Sequence, residues 1–119
     1  MEELTKTEER IMQVFWKLKK AFVKDVIDHL PDDPKPPYNT ISSVVRLLEQ
    51  KGHLGYKAYG KSHQYYPLVS KAAYRKQYLK KILNGYFENS PASLLSFLVK
   101  EEGLTEEERA ALKKIIEES

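Results

Sequence analysis

Five polar or cationic side chains lie close together in the middle of the sequence, and their chemistry suits contact with the edges of DNA bases. They are Asn39, Thr40, Ser42, Ser43 and Arg46. Asparagine can form two hydrogen bonds with adenine, arginine can do so with guanine, and serine and threonine hydroxyls suit several bases. A second interpretation stays open, in which Asn39 and Thr40 only cap a helix and the two serines simply face solvent.

The segment that carries these residues is predicted to be a helix that begins near Tyr38. Its apolar side repeats at intervals of three and four residues, at Ile41, Val44, Val45 and Leu48. Gly52 is placed to end this helix. Beyond it, apolar residues alternate along the chain, which predicts a hairpin over residues 54–66 with a basic turn at Lys61.

Two shorter helices are predicted before this one. The first opens with a capping-box pattern at Thr5 and Glu8, and its apolar residues follow at helical spacing: Ile11, Met12, Phe15, Trp16 and Leu18. The second covers about residues 22–30 and ends at Pro31, because proline lacks the amide that continuation requires. Three helices followed by a hairpin predict a winged helix-turn-helix, a mainly α fold with a small β-hairpin wing.

Basic residues are concentrated around the predicted wing. Between Arg46 and Lys81 the chain has nine basic residues and one acid, a net charge of +8, whereas residues 101–119 carry a net charge of −4. A polyanion responds to a local patch of this kind more than to the total charge. The residues suited to phosphate contacts are Tyr38, Lys57, Lys61, His63 and Arg75. For each of them taken alone, a plain surface role stays open.

The C-terminal part is predicted to form three further helices with more apolar surface than so short a segment can bury within itself. We therefore expect two domains, a winged-helix DNA-binding domain over residues 1–70 and a helical dimerisation domain over residues 71–119. The second would bury its excess apolar surface against its own copy. The residues expected to form this contact are Leu94, Leu95, Phe97, Leu98, Leu112, Ile115 and Ile116.

Several classes of protein are disfavoured by what the sequence lacks. It has no cysteine, which excludes disulfides, thiolate metal sites and a cysteine nucleophile. The histidines at positions 29, 53 and 63 have neither metal-ligand spacing nor a catalytic arrangement with nearby acids. Phe15 and Trp16, which could resemble an aromatic recognition surface, are expected in the core. We therefore expect neither an enzyme nor a cofactor or metal.

The remaining expectations concern location and partners. No apolar run approaches the roughly 20 residues that a membrane span needs, and the first ten residues do not resemble a signal peptide. A cytoplasmic protein that does not engage the membrane is expected. Its expected partners are double-stranded DNA and a second copy of itself. The alternative is a winged-helix module that docks another protein without binding specific DNA.

Four segments carry a family resemblance that extends over nearly the whole chain. They are ERIMQVFW at 9–16, YNTISSVVRLLEQKG at 38–52, QYYPL at 64–68 and SLLSFLVKEEGLT at 93–105. In their order and spacing these segments resemble the penicillinase and methicillin-resistance repressors, winged-helix regulators of bacterial β-lactam resistance. The resemblance implies a homodimeric, sequence-specific transcriptional repressor that binds a palindromic operator. In that family the third helix enters the major groove and the C-terminal helices dimerise.

The resemblance also bears on induction. In well-known members a membrane sensor triggers cleavage of the dimerisation lobe between Asn and Phe, and the corresponding bond here joins Phe97 to Leu98. The residue before this bond differs from the family pattern. A regulatory protease or sensor is thus a further partner that the resemblance implies. Related copper-responsive repressors use C-terminal cysteines, which this chain lacks.

Overall fold

The order of elements along the chain is three helices, a two-stranded hairpin and three further helices. A computed structural model describes residues 4–103 and 105–118, and within them the side chains other than those at 102, 115, 116 and 118. The elements are α1 (Lys6–Leu18), α2 (Val23–His29), α3 (Tyr38–Gln50), β1 (Leu54–Tyr59), β2 (Ser62–Pro67), α4 (Lys71–Tyr86), α5 (Pro91–Glu102) and α6 (Glu106–Glu118). This order confirms the predicted mainly helical winged-helix class.

The chain divides into two compact units between Lys71 and Ala72. The first unit contains α1, α2, α3 and the hairpin, and the second contains α5, α6 and nearly all of α4. Among the described residues, no helix is both long enough and apolar enough to cross a membrane.

The core of the first unit is formed by the apolar sides of its three helices. Phe15 of α1, Val26 of α2 and Val45 of α3 have no exposed surface, and α3 packs against both other helices. Each apolar side chain buried in this way stabilises the fold by roughly 1.5 to 3 kcal/mol. Trp16 is half-buried at the edge of this core, where its indole N–H donates a hydrogen bond to the Val69 carbonyl (2.8 Å).

The hairpin is held in one register by antiparallel pairing from Leu54 opposite Pro67 to Tyr59 opposite Ser62. Its turn places Gly60 at a φ of 61°, a left-handed conformation that glycine adopts without steric cost. A one-residue shift would expose the buried Leu54, so the buried face specifies this register.

Tyr65 joins the hairpin to the helices. Its backbone exchanges two hydrogen bonds with Ala21, of 2.9 and 2.8 Å, in the segment between α1 and α2. Its ring meets the Phe15 ring edge to face, with centroids 6.5 Å apart. The orientation of the wing relative to the helical core is therefore fixed by both backbone and side-chain contacts.

The second unit has clear helix boundaries. The Ser90 hydroxyl accepts the Ser93 N–H at 3.1 Å, and Pro91 takes the first position of α5, where its missing N–H costs nothing. Gly103 ends α5 at a φ of 69°, and Thr105 begins α6 with a hydrogen bond from the Glu108 N–H to its hydroxyl (3.1 Å). The described buried apolar residues of this unit are Tyr74, Leu83 and Leu95.

A buried ion pair connects the start of α1 to the end of α3. Glu8 is 2% exposed, and its two carboxylate oxygens accept hydrogen bonds from Lys51 Nζ at 3.1 and 2.9 Å. The Thr5 N–H donates to the same carboxylate at 2.9 Å. Burial by itself raises the pKa of Glu8, but these hydrogen bonds outweigh it, and the pKa lies below its ordinary value.

We predict that Glu8→Gln lowers the free energy of unfolding at neutral pH by roughly 1 to 3 kcal/mol, because Lys51 loses a charged acceptor. A carboxyl whose pKa is depressed in the folded state stabilises the fold above its unfolded pKa, and this contribution is lost as the pH falls through the folded value. The variant should therefore lose less stability than the parent on acidification. Trp16, the only tryptophan, reports unfolding of this unit in urea titrations at a series of pH values.

The control is Glu9→Gln, which removes a carboxylate from the same first turn of α1. The pH dependence of its free energy of unfolding should stay close to that of the parent. Identical stabilities and pH profiles for the two variants would contradict the role given to the buried ion pair.

Candidate nucleic-acid interface

The polar side of α3 presents four of the five residues predicted to read bases. Asn39, Thr40, Ser43 and Arg46 are exposed, as the helical spacing predicts. The Ser43 hydroxyl donates to the Asn39 carbonyl at 2.8 Å, a bond that leaves its oxygen able to accept a hydrogen bond. These side chains can therefore meet a ligand that approaches α3 from solvent.

Ser42 departs from the expectation that it lies on the exposed polar side. Only 8% of its surface is exposed, because it follows Ile41 and precedes Val45 by three residues, and both belong to the buried side of α3. Its small side chain fits at the boundary between the core and the surface. A base edge has much less access to Ser42 than to Ser43.

The wing carries three of the residues predicted to contact phosphate. Lys57 and Lys61 are exposed, and the Lys57 ammonium lies 5.3 Å from the centre of the Tyr59 ring. The half-buried His63 ring stacks on Tyr56, with centroids 4.3 Å apart and planes 11° from parallel. Ring contacts of this kind restrict where the side chains of the wing can move.

A groove of about 690 Å³ runs between α3, the wing and the start of α2. Its lining from α3 consists of Tyr38, Ser42 and Arg46. The hairpin contributes Tyr59, Lys61, Ser62, His63 and Tyr65. The start of α2 contributes Phe22, Val23, Lys24 and Asp25. The fold thus brings Arg46, a predicted base-reading residue, to the same groove as Tyr38, Lys61 and His63, which are predicted to contact phosphate.

The groove is predominantly cationic. Lys24, Arg46 and Lys61 face the single carboxylate of Asp25, which accepts a hydrogen bond from the Phe22 N–H at 2.9 Å. Burial raises the pKa of the Tyr65 hydroxyl, and the nearby Arg46 guanidinium only partly opposes this shift. Tyr65 is consequently uncharged at neutral pH, and the groove suits an anionic ligand.

Several residues at this surface were not singled out from the sequence. Lys24 and Tyr59 line the groove, and Leu47, on α3, is 44% exposed. A charge pattern within one helix does not reveal Lys24, since Arg46 and Lys61, the other cations of the groove, belong to other elements and lie far from it along the chain. An apolar residue such as Leu47 resembles a core position in the sequence.

The residues predicted to dimerise fall into three groups. Phe97 is 46% exposed and meets Phe87 edge to face at 5.7 Å, and Leu94, Leu98 and Leu112 are half-buried. Leu95 is only 2% exposed in the single chain, so it has little surface left for a second copy. The side chains of Ile115 and Ile116 lie outside the described residues.

Two further sequence predictions map to the second unit. Arg75 is exposed on α4. The bond between Phe97 and Leu98 lies inside α5, where the backbone is helical. A protease that requires an extended substrate could cut there only after local unwinding of the helix.

The histidines occupy three unrelated environments. His29 is exposed at the end of α2, His53 is buried, and His63 belongs to the wing. In the part of the chain that the structure describes, no three histidine or acidic side chains come together to hold a metal ion.

Comparison with known proteins identifies the family. The model of the penicillinase repressor family matches residues 4–118. The methicillin resistance regulatory protein MecI of Staphylococcus aureus (strain N315) is 25% identical over 114 residues, which cover 96% of this chain and 93% of that protein. MecI of Mammaliicoccus sciuri has the same identity and coverage. The solution structure of the DNA-binding domain of the repressor BlaI is 25% identical, with a TM-score of 0.53 over 60% of this chain and 88% of that one. The chain therefore belongs to the penicillinase repressor family.

Proposed function

We propose that this protein is a transcriptional repressor that binds a palindromic operator as a homodimer. The observation that carries this proposal is the cationic groove, where α3 and the wing meet. A reading helix and a phosphate-binding wing must lie on the same side of a domain to engage one DNA duplex, and Arg46 and Lys61 border the same groove.

The relatives support the regulatory part of this proposal. BlaI is described as a repressor with a DNA-binding domain, and MecI as a regulatory protein of methicillin resistance. The BlaI domain aligns with 60% of this chain, a share close to that of the first unit. A repressor acts where the chromosome is, so the proposal includes a location in the cytoplasm.

The two units have different roles in this account. The first reads DNA, with Asn39, Thr40, Ser43 and Arg46 at base edges and Ser42 in a supporting position beside them. Phosphates are held by Tyr38, Lys57, Lys61 and His63 of this unit. Arg75, which lies on α4 in the second unit, is proposed as a further phosphate-binding cation. The second unit dimerises through apolar residues that include Phe97, which is 46% exposed.

Dimerisation follows from the DNA target. A two-fold symmetric dimer presents two identical reading helices, and the matching DNA has two half-sites one helical turn apart or a multiple of it. Joining the readers makes the second contact intramolecular, which commonly raises affinity by roughly a hundredfold to ten-thousandfold. A single copy of the first unit would bind the operator little better than one half-site.

We predict that Arg46→Ala and Lys61→Ala weaken operator binding in different ways. Arg46→Ala should cost roughly 1 to 3 kcal/mol at one base pair of each half-site and relax the preference there. Lys61→Ala should weaken binding to all DNA sequences about equally. It should also reduce the slope of log affinity against log salt concentration by about one unit per half-site. Binding titrations on the operator and on substituted half-sites, each at several salt concentrations, measure both effects.

Two results would contradict this assignment. If Arg46→Ala kept full discrimination between bases, α3 would not be the reading element. If the parent protein showed almost no salt dependence in binding its partner, an apolar protein-docking surface would explain it better.

We predict that Phe97→Glu turns the dimer into a monomer, because the substitution places a charge on an apolar contact surface. Ser96→Glu, at the adjacent exposed position, adds the same charge and should remain dimeric. Sedimentation equilibrium distinguishes the two states. A Phe97→Glu variant that stayed dimeric would place the interface elsewhere.

A further inference from the structure

Lys24 is a groove cation that belongs to neither the predicted reading helix nor the wing. It is exposed as the second residue of α2 and borders the groove together with Arg46 of α3 and Lys61 of the hairpin turn. Three separate elements of the first unit therefore each supply one cation to a single concave surface.

Contacts between α2 and the wing keep these cations at the same groove. The Phe22 ring, two residues before Lys24, meets the Tyr59 ring edge to face with centroids 5.9 Å apart. Tyr59 lies two residues before Lys61. The bonds between Ala21 and Tyr65 fix the same two segments through their backbones. These contacts between neighbouring residues fix the backbone near Lys24 and Lys61, so both lysine side chains start from defined positions beside the groove.

The electrostatics of the groove favour a phosphate over a neutral ligand. Its charged lining consists of Lys24, Arg46, Lys61 and one acid, Asp25. The Asp25 carboxylate, which accepts the Phe22 N–H, offsets one of the three positive charges, so the lining keeps an excess of positive charge. A lysine ammonium in this setting is a mobile point charge that binds a phosphate oxygen well.

We propose that Lys24 binds a phosphate of the operator backbone, so that α2 orients the DNA on α3 together with the wing. This inference rests on the proposed function, since it names an additional contact of the same DNA-binding surface. Lys24 gives no base specificity in this account. It determines how α3 is held relative to the DNA strand.

Lys17 supplies a matched control. It is an exposed lysine of the same unit, but it borders a different recess, lined also by Trp16 and Pro67. Replacing either lysine with alanine changes the total charge by the same amount. A difference between the variants therefore measures position and not net charge.

The first experiment compares operator binding by the full-length parent, Lys24→Ala, Lys24→Arg and Lys17→Ala over a range of salt concentrations. Lys24→Ala should reduce the salt slope by about one unit per half-site, which corresponds to about a fourfold smaller loss of affinity per half-site between 50 and 200 mM salt. Lys24→Arg should retain the parent slope, and so should Lys17→Ala. Circular dichroism verifies that every variant is folded.

The second experiment neutralises one operator phosphate at a time with a methylphosphonate. Neutralising the phosphate that Lys24 contacts should lower the DNA affinity of the parent several-fold. The same change should hardly affect the DNA affinity of Lys24→Ala. Equal losses for parent and variant at every phosphate, or a Lys24→Ala salt slope equal to that of Lys17→Ala, would overturn the inference. In either case, the proposed function would stand if Arg46→Ala still relaxed the base preference. If the parent itself showed no specific DNA binding, the proposed function would be refuted.

Discussion

The contact between Tyr65 and the segment that joins α1 to α2 determines whether α3 and the wing border one groove, which is the proposed DNA-binding surface. A two-stranded hairpin is marginally stable alone in water and needs a helix to pack against. Here the Tyr65 backbone pairs with Ala21, and its ring contacts Phe15 in the core. The wing therefore has one orientation, which brings Lys61 to the groove that Arg46 borders. If the hairpin rotated, the same residues would lie on separate surfaces.

In the proposed function, the first unit reads DNA and the second dimerises, and the burial of apolar residues in the two units is consistent with this division. The first unit has a helical core that includes Phe15, Val26 and Val45, all fully buried. The second has only Tyr74, Leu83 and Leu95 as described buried apolar residues, and it leaves Tyr86 at 83% and Phe97 at 46% exposed. Exposed apolar surface of this kind is characteristic of a contact with another chain. The first turn of α6 carries Glu106, Glu107 and Glu108, and this acidic segment would repel DNA.

Local sequence signals predicted most of the fold and only part of the candidate site. Several element boundaries depend only on local chemistry, so the local sequence indicates them. Examples are the caps at Thr5 and Thr105, Pro91 at the start of α5 and Gly60 in the hairpin turn. The polarity of Ser42 predicts that it faces solvent, but its position next to the apolar stripe of α3 buries it. The pairing of Ala21 with Tyr65 and the position of Lys24 depend on contacts between distant segments, which periodicity does not encode.

In the proposed function, α3 and the wing together read a two-fold symmetric DNA site. Selection of bound fragments from a random DNA pool by the whole chain, followed by sequencing, tests whether such a site exists. We predict an inverted repeat whose half-site centres lie about 10 base pairs, or a multiple of that distance, apart. In the same selection, Arg46→Ala should lose preference at one position of each half-site and keep the spacing. Enrichment of no sequence, or of a single site without symmetry, would show that the protein does not read DNA as a symmetric dimer.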